Sequence, residues 1–119
     1  MKVVERLVGD VAVLELAGKL DCGAGESYFQ DIVEGLTKRG QVKVVIDLKD
    51  VAHLDTTCLG HLIAAHIRFQ RNRGGVHLLR TPARIRQLLS IVRLDHILVT
   101  FDTEEHAVAA FAVATRKSG

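Results

Sequence analysis

The chain has no tryptophan, one tyrosine and four phenylalanines, so aromatic residues are only 4% of its 119 positions. That leaves little material for stacking nucleic-acid bases, and a formal net charge of +2 provides no footprint for a polyanion. Direct nucleic-acid binding is therefore not expected. One proline, with 48% hydrophobic and 25% charged residues, excludes collagen-like and disordered compositions. Long apolar runs are also missing, since no stretch approaches the roughly 20 residues of a membrane span. The opening MKVVERLVGD is broken by Glu5, Arg6 and Asp10, which excludes a signal-peptide core. No membrane association is expected, and the chain reads as unexported and cytoplasmic. The two cysteines, Cys22 and Cys58, form no CxxC pair, so their spacing indicates neither a disulfide scaffold nor a zinc ribbon. A reducing compartment is the natural expectation.

What is present is one domain's worth of alternating elements, in the range of about 100 to 150 residues common for compact domains. Val3 to Val8 and Val11 to Ala17 are β-rich runs around Gly9-Asp10, a pair suited to a hairpin turn. From about Gly25 to Lys38 the apolar Phe29, Ile32, Val33 and Leu36 follow helical spacing, and Gly40 stops the helix. VKVVIDL, Val42 to Leu48, reads as a buried central strand followed by a loop from Lys49 to Asp55. A second helix carries the stripe Leu59, Leu62, Ile63 and Ile67 and ends before Gly74-Gly75. Val76 to Leu79 makes a short strand. Thr81-Pro82 supplies an N-cap and a first-turn proline for a helix with inner face Ile85, Leu88, Leu89 and Val92. Ile97 to Phe101 is the last strand, and Thr103 caps a final helix with Val108 and Phe111 facing inward. The domain is expected over residues 1–115, with 116–119 a frayed tail. The order ββαβαβαβα predicts an α/β fold: a mixed sheet of about five strands covered by three to four helices, mostly on one side.

The second helix opens with two adjacent hydroxyls, Thr56 and Thr57, after Asp55. The free N–H groups and positive dipole end of a helix favour an anion, so a phosphate on either hydroxyl would be well accommodated. The plainer alternative is that these three residues simply cap the helix. His53, Cys58, His61 and His66 suggest a metal, but His61 and His66 diverge around the helix and no second paired ligand motif appears, so no metal is expected. Cys58 reads better as a small, buried, unreactive residue than as an activated thiol. GKLDCGAGES, Gly18 to Ser27, matches no phosphate-binding glycine motif and reads as a loop. Arg68, Arg71, Arg73, Arg80, Arg84, Arg86 and Arg93 read as solvated helix faces rather than as a binding patch. No paired acid/base or nucleophile/base constellation has recognisable spacing, so an enzyme is not expected.

In IDLKDVAHLDTTCLGHL, in the RNRGGVHLLRTPARIRQLLSIVRLDHIL stretch and, more weakly, in GKLD (Gly18 to Asp21), the chain resembles STAS domains. The resemblance is to the single-domain bacterial anti-sigma factor antagonists, and it covers nearly the whole chain. It implies a STAS-like single domain whose second hydroxyl, Thr57, is the phosphoacceptor, with Thr56 as the alternative. It further implies a partner surface formed by Asp21, Asp55, Thr56, Thr57, Cys58, Leu59 and Gly60. The implied partner is an anti-sigma factor of the serine/threonine kinase type, released on phosphorylation, with a phosphatase to reset the cycle and no cofactor. A structural STAS subunit of a larger assembly, stressosome-like or serving lipid transport, is the alternative role, and homo-oligomerisation stays open. Cys58 stands where the family usually has glycine, adding a β-carbon and a thiol beside the hydroxyl.

Overall fold

A computed structural model describes residues 2–24 and 28–118, and the side chains of all of these except 24, 28 and 113–118. The elements are β1 (Lys2–Val8), β2 (Val11–Leu20), a 3-10 turn (Cys22–Ala24), α1 (Tyr28–Lys38), β3 (Lys43–Leu54) and α2 (Thr56–Gln70). They continue as β4 (Gly75–Leu79), α3 (Ala83–Ile91), β5 (Thr100–Phe101) and α4 (Glu104–Ser118). The sheet order is β1-β2-β3-β4-β5, with β1 antiparallel to β2 and every other pair parallel. The α/β mixed sheet expected from the residue pattern is therefore the fold, with four helices.

Alternation along the strands sorts the core into two layers. Ala12, Leu14, Leu16, Val44, Ile46, Leu48, Val76 and Leu78 share one cluster with Phe29 and Leu36 of α1, Leu59, Leu62 and Phe69 of α2, and Ile85 and Leu89 of α3. The intervening Val11, Val13, Val45 and Leu79 point to the other face, where Ala107 and Phe111 of α4 cover them. His77 joins this thinner layer, its ring stacked on Phe111 at 3.7 Å and its Nδ1 bonded to the Ala107 carbonyl at 2.8 Å. Arg6 reaches from β1 to Glu15 and Glu104, tying the hairpin to the start of α4.

Several boundaries differ from the sequence expectation. β3 does not stop at Leu48 but runs through the expected loop to Leu54, because residues 50–54 keep pairing with β2 across two register shifts. β5 is only Thr100–Phe101, and Ile97 and Val99 are exposed. On α2, Ile67 is 44% exposed; the buried stripe runs instead through Cys58, Leu59, Leu62, Ala65, His66 and Phe69. Val92 lies beyond α3 and is exposed too. Thr81 does not cap α3: Pro82 holds that position with no side-chain bond, and the Thr81 hydroxyl pairs with that of Thr100 at 2.7 Å. Thr103 does cap α4, accepting from the His106 N–H at 3.2 Å. α4 is helical as far as Ser118; Gly119, and Gly25–Ser27 where the spacing predicts the start of α1, lie outside the described residues. The 3-10 turn and the start of α2 meet at the end of the β2–β3 pair.

Candidate functional site at the start of α2

β2 and β3 run in the same direction and end together, Leu20 opposite Leu54, and the Asp55 N–H bonds the Leu20 carbonyl at 3.2 Å. The turn leaving β2 is thereby laid against the helix leaving β3. Asp55, with extended backbone at φ −86° and ψ 169°, is the N-cap of α2. Its Oδ1 accepts from the Cys58 N–H at 2.9 Å and its Oδ2 from the Gly23 N–H at 2.7 Å. One carboxylate thus satisfies a free amide of the helix and fastens the neighbouring turn. These bonds, Cys58 first and Gly23 second, hold the Asp55 carboxyl below the usual carboxylate range, with smaller help from the Asp21 side chain.

Thr56 and Thr57 occupy the first two helical positions and are exposed. Among the described residues no protein acceptor meets their backbone N–H groups. Gly23 passes so close that a β-carbon on it would lie 3.4 Å from Thr57 Oγ1 and 3.0 Å from Asp55 Oδ2. Asp21 and Gly60 are exposed on either side. Of the expected partner residues, Cys58 and Leu59 are the exceptions: 0% and 2% exposed, their side chains belong to the core and offer a partner no surface. The Cys58 β-carbon consequently adds no bulk beside the Thr57 hydroxyl.

The cysteines require a correction. Cys22 and Cys58 form a disulfide with Cα atoms 5.3 Å apart, whereas their spacing in sequence gave no reason to pair them. The signal lay in topology: Cys22 is the second residue after β2 and Cys58 the fourth after β3, so parallel pairing alone brings them together. Cys22, Asp55 and Cys58 are also the only group of three potential metal ligands that converges among the described residues. The histidines do not converge on Cys58. His66 Nδ1 accepts from the Val76 N–H at 2.9 Å, and burial lowers its pKa. His61 meets Gln30 at 3.2 Å on the rim of a cavity of about 460 Å³ between α1 and α2.

A family model for the STAS domain matches residues 2–107. The chain belongs to the STAS domain family. A Thermotoga neapolitana protein provisionally named as an anti-sigma factor antagonist is 27% identical over 104 residues, covering 87% of this chain and 91% of that one. The fold matches the structure of an anti-sigma factor antagonist from Mycobacterium paratuberculosis with a TM-score of 0.81 at 18% identity, over 93% of each chain. It matches the Bacillus cell-fate determinant SpoIIAA in its phosphorylated form with a TM-score of 0.69 at 18% identity, over 92% of this STAS chain and 98% of that one. No helix among the described residues is long and apolar enough to cross a membrane.

Proposed function

We propose that this STAS protein is a cytoplasmic anti-sigma factor antagonist, a binding module without catalysis of its own. It engages a kinase-type anti-sigma factor through the start of α2, and phosphorylation of Thr57 releases it until a phosphatase restores the hydroxyl. The observation that carries this reading is the placement of Thr57, exposed on a capped helix start with free N–H groups, in a fold shared with anti-sigma factor antagonists. The contact surface is narrowed to Asp21, Asp55, Thr56, Thr57 and Gly60.

A phosphate adds about −1.5 to −2 charge and strong acceptor oxygens. Inside the domain the unpartnered N–H groups and the helix dipole favour it, while the adjacent Asp55 carboxylate opposes it. In a packed interface the same charge must be desolvated, and that cost falls on the complex. A difference of about 3 kcal/mol changes affinity more than a hundredfold, enough to operate a switch.

Peptide-level mass spectrometry of the protein from its own cells tests the proposal. A phosphate on Thr57 that vanishes in Thr57→Ala but persists in Thr56→Ala is the expected result. A Thr57 that stays unmodified under all growth conditions rejects the switch and favours the structural-subunit role.

A further inference from the structure

The Cys22–Cys58 bond lies directly under the proposed phosphoacceptor, yet nothing in the partner-switching role requires it. Cys58 is the third residue of α2, following Thr57, and Cys22 opens the turn whose next residue, Gly23, lies against the Thr57 hydroxyl. Besides the disulfide, a hydrogen bond from the Gly23 N–H to Asp55 joins this turn to α2. Disulfides inside reducing compartments are usually transient or redox-sensing rather than permanent staples. The geometry points to Cys22–Cys58 as a reversible oxidation site that controls access to Thr57. When oxidised, the turn is clamped against the start of α2; when reduced, it separates and opens the hydroxyl face to the kinase. The inference rests on the partner-switching reading for its consequence, but not for its chemistry.

Oxidation by a peroxide begins at Cys22, which is 9% exposed whereas Cys58 is fully enclosed. The Cys22 thiolate attacks one peroxide oxygen and becomes a sulfenic acid as water leaves. Cys58 then attacks that sulfur, the S–S bond forms, and a second water departs. Two thiols thereby give up two electrons and two protons to one hydrogen peroxide, yielding two waters. A dithiol reductant reverses this through a mixed disulfide at Cys22 and departs as its own disulfide. In the disulfide form Cys58 Sγ lies 3.4 Å from the Leu20 carbonyl, which would serve as an acceptor for the thiol proton once the bond is reduced.

The test equilibrates the full chain in mixtures of reduced and oxidised glutathione, traps free thiols by alkylation, and measures amide hydrogen exchange in each form. The expected result is a disulfide that interconverts within the series. Reduction should also bring at least a tenfold rise in exchange at residues 21–24 and 56–58, with central β3 amides unchanged. Cys22→Ser should show the faster exchange whatever the mixture, and it remains informative where Cys58→Ala, which opens a core cavity, fails to fold. Phosphorylation of Thr57 by the anti-sigma factor kinase should be at least tenfold slower in the oxidised form.

A bond that persists in every mixture, or never forms, overturns the inference. So does exchange that agrees within twofold between forms, or a reduced protein that retains one zinc in native mass spectra and resists oxidation. Equal phosphorylation rates in the two forms overturn the control of access. If neither form is phosphorylated at Thr57, partner switching fails, and control of access to the kinase fails with it. Interconversion and exchange then still decide whether the redox site exists.

Discussion

At its N-terminus α2 is held by a carboxylate, two amide protons and a sulfur bridge, whereas at its C-terminus it is held chiefly by backbone shape. Arg73 adopts a left-handed conformation at φ 65°, and the Gly74 N–H returns to the Phe69 carbonyl at 2.9 Å. Gly74 then passes so close to β3's approach that a β-carbon on it would run into the Val42 carbonyl. One end therefore depends on bonds that protonation or reduction undoes, and the other mostly on excluded volume, which solution conditions do not alter. The exception at the second end is His66, whose neutral ring accepts from the Val76 N–H.

The sharpest way to break this contrast is Gly74→Ala. Its overlap with Val42 should cost about 3 kcal/mol, at the upper end of usual overpacking penalties, read as a lower midpoint in urea unfolding. Next is Asp55→Ala, which removes the cap and leaves the Gly23 N–H without its acceptor. A smaller fall in the urea midpoint than that of Gly74→Ala is expected in the same assay, with Asp55→Asn losing less. A loss as large as that of Gly74→Ala would mean that the N-terminal bonds are no more dispensable than the steric contact. Arg73→Gly should act in the opposite direction, raising stability by about 1 kcal/mol, because glycine adopts positive φ without the β-carbon clash.

Acid titration separates the two ends along another axis. The folded pKa of His66 lies below its ordinary 6.5 because burial disfavours the cation. The unfolded chain therefore takes up the proton first, so this stability is present above pH 6.5 and is lost as pH falls below it. Half-buried His77 shifts the same way for the same cause and contributes to the same loss. Asp55 is also depressed, but from 3.8, so its contribution is present above that value and lost only at lower pH. Thermal melts should show a first fall beginning below pH 6.5, shallower in His66→Gln, and a second in stronger acid that Asp55→Asn weakens.

Much of this was legible in the residues. The hairpin at Gly9-Asp10, the apolar VKVVIDL strand and the helix spacings of Phe29 to Leu36 follow from local periodicity and turn chemistry. Asp55 as a cap is also local, since capping types immediately precede the helix. Where reading failed, the cause was pairing between distant segments. Residues 49–54 look like a loop, with Lys49, Asp50 and His53, yet β2 beside them extends the strand. Thr81 looks like a cap, but the Thr100 hydroxyl across the β4–β5 junction takes its bond. Cys22 and Cys58 are neighbours only because two strands end side by side, a fact that no spacing along the chain contains.

The two edges of the sheet differ in a way that bears on assembly. β5 is two residues long and presents almost no unpaired ladder, whereas β1 presents seven residues with Val4 and Leu7 exposed. The two-residue β5 edge offers little from which further strand pairing could continue. If two copies join through their β1 strands, each covers the other's long edge, and the union closes as a two-fold symmetric pair of ten strands instead of growing into a filament.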